Sequence, residues 1–316
     1  MLKSQSNPPV KNKNSGLWLR VAGTLISIGL LVWILSGQKL DEIWAVFIRI
    51  PSSSLLEMCL LMVISRLVVI GRWYALVKSG GGKINFGQSA RITMAGLFAT
   101  NFLPTTIGGD VVRLFGVIQL GVESSLGAAS LIVDRLVGMA GMALALPWSF
   151  PYILQAANQP SLESFTVAIP WAKGLISKVT AFTKSTLSAL VRWIKHPAGL
   201  MLALFFTLVH TASLFAIQWL ALAGMGEPLP FHTVGGLYVL VYFVTLLPVS
   251  INGYGLQELS MTFVYSQLAG VSPETSIAVA LILRTLIFAI SLPGALFLPS
   301  LMKKGTKNSD GEIQVG

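Results

Sequence analysis

Charge is the scarcest commodity in this 316-residue chain. Asp, Glu, Lys and Arg together make up 11% of it, where a soluble domain carries about 25%. That is too little to solvate the surface of a globule of this size, and it excludes a disordered chain, a collagen and a coiled coil as well. Cysteine is almost missing. The single Cys59 lies in an apolar run, which excludes an intrachain disulfide and a cysteine-based zinc site and reads as a small buried hydrophobe. His196, His210 and His232 form no close-spaced metal pair; His210, inside an apolar run, is expected to make a polar contact within a bundle. No Walker-type phosphate loop is present, so direct use of ATP is not expected. No metal and no cofactor is expected either.

Acidic residues are also few, 12 against 22 Lys and Arg, for a net charge of +10. The basic residues gather at the ends of apolar runs, where they set topology and touch anionic headgroups. No basic-aromatic pattern of an RNA binder accompanies them, so no nucleic acid is expected as partner.

Apolar sequence is what the chain has in abundance: the set AVILMFWYC makes up 54%. The fold class read from this is an all-α polytopic membrane protein. Residues 1–16, with Lys3, Lys11 and Lys13, read as a disordered basic tail. The run from Leu17 to Leu35 lacks a small-x-small cleavage site after it, and reads as a retained signal-anchor with the N-terminus cytoplasmic. Residues 38–50 place Ile43, Trp44, Phe47 and Ile48 on one stripe, the pattern of a short helix on the membrane surface. Residues 53–77 form a span interrupted by Glu57, Arg66 and Arg72. Arg66 is well inside it and must face protein, water or a headgroup.

Two short helices follow, at 86–102 and 110–119, with Pro104 between them. The second is far below the roughly 20 residues a span needs, so the pair reads as a re-entrant hairpin. Residues 124–147 form a span carrying Asp134 and Arg135. The basic stretch 151–197 is the least hydrophobic internal segment and divides two halves, about 17–150 and 198–300, of a single membrane domain 17–300. The second half repeats the plan with a span at 198–223, a broken pair at 233–248 and 254–269, and a last span at 274–300. A polar tail, 301–316, closes the chain. Five clear spans put the C-terminus outside, whereas Lys303, Lys304 and Lys307 argue for inside. One weakly apolar crossing near 148–170 reconciles the two and makes the halves inverted repeats.

The two breaks resemble each other. Leu103-Pro104-Thr105-Thr106-Ile107-Gly108-Gly109 matches Leu247-Pro248-Val249-Ser250-Ile251-Asn252-Gly253 in register at Leu, Pro, Ile and the final Gly. Pro removes a backbone donor and Gly allows a turn. Freed backbone groups cannot face lipid, so such breaks are buried in protein or line a wet cavity. Paired broken helices in repeated halves mark transporter sites near the membrane midplane, and a half-helix N-terminus there favours an anion such as phosphate.

Charged residues cluster around these breaks. Asp110 and Arg113 share a helix face at i, i+3. Asp134 and Arg135 are adjacent and must each find a partner elsewhere; Asp134 with Arg113 and Asp110 with Arg135 are the expected cross-helix pairs. Glu258 follows the second break, and Arg284 has no acid near it in sequence. A charge at the bilayer centre costs about 2.5–3.5 kcal/mol on the insertion scale, so these residues demand a polar interior. They serve either a headgroup path, with arginines meeting phosphate, or structural ion pairing.

The segments 101–115, 130–142 and 246–259 resemble those of the lysylphosphatidylglycerol synthase transmembrane-region family, also described as having a flippase-like domain. The likeness runs from about residue 17 to 300. It implies a role in moving lipid between the leaflets of a bacterial-type plasma membrane. Carried over position by position, it falls on Asn101, Pro104, Gly108, Gly109, Asp110, Arg113, Asp134, Arg135, Pro248, Gly253 and Glu258. Asn252 and Arg284 join these as substrate-path candidates from the reading of the breaks and charges. In the larger synthases a soluble aminoacyl-transferase domain follows; the chain ends soon after residue 300, so aminoacyl transfer is not expected.

Three functions compete at this point. One is a translocator of an anionic or phosphate-bearing membrane lipid. Another is a non-transporting partner of a glycosyltransferase or lipid-modifying enzyme. The third is an intramembrane lipid-phosphate enzyme, which the absence of any nucleophile motif or acidic metal cluster argues against, so no catalytic residue is assigned.

Overall fold

The structure is a computed structural model that describes residues 29, 40–101, 108–157, 193, 197–246 and 253–303. The expected tail 1–16, nearly all of the run Leu17–Leu35, most of the connector 151–197 and the residues after 303 lie outside the described residues. So do Pro104, Pro248 and Asn252.

The described residues form helices, turns and short connecting segments, with no strand among them. In chain order the helices are α1 (Leu40–Phe47), α2 (Ser52–Ser79), α3 (Phe86–Thr100), α4 (Gly108–Gln119), α5 (Ser124–Ala143), α6 (Phe150–Ala157), α7 (Pro197–Gly224), α8 (Phe231–Thr245), α9 (Leu256–Ala269), α10 (Pro273–Ser291) and α11 (Leu298–Lys303). Four stretches among them are long and apolar enough to cross a membrane: Ser52–Ser79, Ser124–Ala143, Pro197–Gly224 and Pro273–Leu296. At 1.5 Å per residue the 28 residues of α2 and of α7 each reach about 40 Å, more than a hydrocarbon core requires.

Two spans stop earlier than the hydropathy pattern predicts. α5 ends at Ala143, and Pro147 starts a 3₁₀ turn, Leu146–Ser149, that leads into α6. α10 ends at Ser291, where Pro293 enters a 3₁₀ turn, Leu292–Leu296, so 274–300 is not one helix. In both cases the proline has no N–H to continue the α-helical ladder. The first residues of the expected connector are also structured and join the second half: Tyr152 bonds Thr233 Oγ1 at 2.9 Å, and just before the connector Ser149 Oγ donates to the Gly236 carbonyl at 2.8 Å. α1 differs from a helix lying free on the membrane surface. It packs beside α10, burying Ile43 and Val46 and leaving Trp44 exposed.

The spine is the antiparallel pair α2 and α7. Gly199 at the start of α7 meets Ser79 at the end of α2, Gly224 meets Ile50 and Pro51 at the other end, and Gly71 lies against the Phe206 ring. Two apolar cores share this spine. The first-half core takes Trp73, Leu76 and Val77 from α2, Ala203 from α7, and Ile92, Val117, Leu126 and Val133. Trp193 joins it, fully buried, with Nε1 donating to the Leu76 carbonyl at 3.0 Å. The second-half core takes Met58 and Met62 from α2, Leu214, Ile217 and Leu222 from α7, and apolar residues of α8, α9 and α10. The midpoints of α2 and α7 thus lie between the cores. Outward faces carry Leu56, Leu60, Leu67, Met201 and Phe205 exposed, as lipid-facing surfaces do. Cys59 is exposed too, not buried as expected, because it points away from the α7 side of α2.

Candidate functional site

The first half is built around a glycine crossing. α3 begins at Asn85, whose Oδ1 accepts from the Gln88 N–H at 2.8 Å while its own N–H donates back to Gln88 Oε1 at 2.9 Å, a capping box. Near its other end Gly96 faces Gly109 of α4: a Cβ on Gly109 would stand 2.5 Å from the Gly96 carbonyl oxygen and would collide with Thr100. Only glycine lets these backbones approach so closely. Gly108 and Gly109 are both buried at the start of α4. The crossing also sets the place of Arg113, whose Cγ lies 2.9 Å from where a Gly96 Cβ would be.

Arg113 and Asp134 are paired as expected, through Nη2 and Oδ2 at 3.0 Å, and so are Arg135 and Asp110, through Nε and Oδ2 at 2.5 Å. Arg113 also reaches Asp110 Oδ1 at 3.3 Å, one turn back on its own helix, and stacks over the Trp73 ring at 4.4 Å. A partner that sequence reasoning missed completes the network. Arg72 of α2 donates Nε to Asp134 Oδ1 at 2.7 Å and Nη1 to Thr207 Oγ1 of α7 at 3.3 Å. Both oxygens of Asp134, itself 2% exposed, are therefore held by arginines. The helices joined are α2, α4, α5 and α7. Arg135 departs from expectation: its side chain keeps 43% exposure, so it lies at the rim of the network and is not a buried charge.

In the second half Arg284 of α10 donates Nε to Glu258 Oε1 of α9 at 2.6 Å. Its Nη2 bonds the Gly253 carbonyl at 3.2 Å, and its guanidinium stacks on the Tyr254 ring at 4.5 Å. Gly253 has φ +71°, which a residue with a Cβ adopts only with strain. In both places an acid on a shorter helix, Asp110 of α4 or Glu258 of α9, meets an arginine of the next helix, Arg135 of α5 or Arg284 of α10.

Between the two cores lies a cavity of about 320 Å³. Arg66, Asn101, His210, Tyr238, Tyr242, Thr245, Gln257 and Arg284 give it polar walls, and Leu97, Met142, Leu214 and Ile287 give it apolar ones. Three of its polar residues stand near the middle of long helices: Arg66 is residue 15 of 28 in α2, His210 residue 14 of 28 in α7, and Arg284 residue 12 of 24 in Pro273–Leu296. His210 Nδ1 and Ser65 Oγ are 2.7 Å apart. Asn101 at the end of α3 donates Nδ2 to Ser291 Oγ at 2.8 Å, and the Tyr254 hydroxyl donates to Asn101 Oδ1 at 3.4 Å.

Of the residues singled out in the sequence, Asn101, Gly253 and Arg284 border this cavity, with Glu258 behind Arg284. Gly108 and Gly109 serve the helix crossing, and Asp110, Arg113, Asp134 and Arg135 form the separate network. Arg66 and His210 were each visible as polar residues in apolar runs, but nothing in the sequence said that they meet. A second, mainly apolar groove of about 310 Å³ runs between α4 and α5, lined by Val111, Leu114, Leu131 and Ile132 with Asp110 and Arg135 at its edge.

Comparison with known proteins agrees with this architecture. The family described as lysylphosphatidylglycerol synthase TM region matches residues 20–294. The chain belongs to that family. It is also 25% identical over 280 residues, 77% of this chain and 85% of its relative, to a UPF0104 membrane protein of Archaeoglobus fulgidus. Family membership and the four candidate spans make this a multi-pass integral membrane protein.

Proposed function

We propose that this member of the lysylphosphatidylglycerol synthase TM region family is a lipid translocase, moving a phosphate-bearing or charged lipid between leaflets. The headgroup passes through the cavity between the cores while the acyl chains stay in the bilayer. One observation carries this reading: a cavity with cationic and hydrogen-bonding walls stands at mid-depth of the long helices, bordered by Arg66, His210 and Arg284. Polar groups at that depth are costly and are kept where a substrate or ion path needs them.

Two further features support it. Asn101 precedes the first Pro-Gly segment and Gly253 ends the second, and both border the cavity. The acid-to-arginine pair after each segment, Asp110–Arg135 and Glu258–Arg284, is what two repeats of one plan would give. We read the halves as inverted repeats whose broken helices form re-entrant hairpins around the site.

Leaflet exchange in proteoliposomes tests the proposal. Fluorescent phosphatidylglycerol, an aminoacylated form and a neutral lipid are compared, with and without protein. The proposal expects faster exchange of at least one charged lipid. No exchange of any lipid by demonstrably folded protein would sink it and favour a membrane partner of a glycosyltransferase or lipid-modifying enzyme.

A further inference from the structure

Arg66 differs from the other arginines of the spans. Among the described residues, ion pairs join Arg72, Arg113, Arg135 and Arg284 to Asp110, Asp134 and Glu258, and none includes Arg66. Its Nη2 meets only the Met62 thioether at 3.5 Å, a weak acceptor, and its Nε is buried with no hydrogen-bond partner. The other polar group at that end of the cavity, His210, has one ring nitrogen engaged by Ser65. A guanidinium keeps its charge at neutral pH and offers donors in a flat fork that matches the oxygens of a phosphate or carboxylate.

Such a cation, set in an apolar bundle without a carboxylate, leaves a charge to be balanced from outside the chain. Arg284 on the opposite wall does not share this condition, because Glu258 neutralises it at 2.6 Å. The cavity wall therefore carries one uncompensated positive charge. We infer that Arg66 is the residue that holds an oxyanion in the cavity, and that the oxyanion is the singly charged phosphodiester of a lipid headgroup with no balancing cation of its own. A phosphomonoester, with up to two charges, would leave one unbalanced. The inference deepens the translocase reading by naming its anion-holding residue, and the binding site itself stands on the geometry alone.

The test measures binding and exchange separately. Purified protein in neutral detergent is heated with phosphatidylglycerol, phosphatidic acid, phosphatidylcholine or inorganic phosphate, in the wild type, Arg66→Gln and Arg66→Lys. The wild type is expected to be stabilised most by phosphatidylglycerol. Arg66→Gln is expected to bind it about tenfold or more weakly, the loss of a charge-assisted hydrogen bond, and Arg66→Lys is expected to keep part of the affinity. Equal binding by Arg66→Gln and wild type would overturn the inference, as would stabilisation by inorganic phosphate and not by the lipid. If Arg66→Gln does not fold, the wild type decides: no preference for phosphatidylglycerol over phosphatidic acid and phosphatidylcholine overturns it. Binding that needs Arg66 without any leaflet exchange would uphold the site and sink the translocase. Exchange that survives Arg66→Gln at the wild-type rate would do the reverse.

Discussion

Arg284 donates its Nε to Glu258 across 2.6 Å, tying the last span to the helix that follows the second Pro-Gly segment. Arg135 does the same to Asp110 in the first half. The second pair is the more buried, with side-chain exposures of 13% for Arg284 and 5% for Glu258, so it tests how far the bundle depends on such bonds.

Removing one partner of a buried pair strands the other charge. Arg284→Gln or Glu258→Gln alone is expected to cost about 3–5 kcal/mol. The double variant should lose clearly less than the sum, since no charge is left stranded. Thermal unfolding of the four proteins in detergent measures this, and strictly additive losses would show that the two residues are not coupled.

Asp134 compensates two arginines at once. Asp134→Asn leaves Arg72 without a counter-charge and Arg113 with only its 3.3 Å contact to Asp110, and a loss of about 3–5 kcal/mol is expected. Asp110→Asn should cost less, because its partner Arg135 is 43% exposed and Arg113 keeps its bond to Asp134. Yields and melting temperatures of the two variants rank them, and an Asp134→Asn protein as stable as the wild type would contradict the pairing.

The crossing of α3 and α4 admits no methyl group. Gly109→Ala places a Cβ against the Gly96 carbonyl and Thr100, and is expected to destabilise by about 1–3 kcal/mol, as overpacking does. Gly87→Ala, in the first turn of α3, is the control for crowding, since a Cβ there meets only Asn85 Oδ1 at 3.5 Å, an ordinary contact. Melting temperatures separate the two, and a Gly109→Ala protein that melts with the wild type would refute the tight crossing.

Glu227 lies between α7 and α8, outside the candidate spans. Partial burial pushes its carboxyl up, but hydrogen bonds from the Ser272 hydroxyl and N–H and from Thr275, with Arg49 nearby, hold it below the ordinary 4.5. A carboxyl lowered by folding stabilises the fold above its unfolded value, and this is lost as pH falls through the lower folded value. Glu227→Gln should therefore melt earlier than the wild type at pH 7, with the gap closing as pH drops below 4.5. A gap that widens in acid would contradict the bonding.

Much of the bundle was legible in the sequence because lipid leaves few choices. The span 53–77 and the helix Ser52–Ser79, or the short helix 110–119 and Gly108–Gln119, differ by no more than two residues at either end. The Asp134–Arg113 and Asp110–Arg135 pairs followed from the cost of leaving those charges alone. What the chain did not disclose depends on how helices lie against one another. Arg72 reaches Asp134 over 62 residues of sequence and Arg284 reaches Glu258 over 26, and no local period records either contact. The cavity was hidden for the same reason, since Arg66, His210 and Gln257 come from three helices far apart in sequence. The early ends of α5 and α10 are different: Pro147 and Pro293 were there to be read, and hydropathy outweighed them.

The account stands or falls on whether a lipid headgroup uses the cavity. In a Cys59→Ser background, a cysteine placed at Thr245, on the cavity wall, can be capped with a bulky thiol reagent in proteoliposomes. Leaflet exchange is then timed before and after capping. The account predicts that exchange present before capping falls to the protein-free rate after it, while capping Cys59, on the exposed face of α2, leaves the wild-type rate unchanged. Exchange that continues undiminished past a capped Thr245→Cys would contradict it.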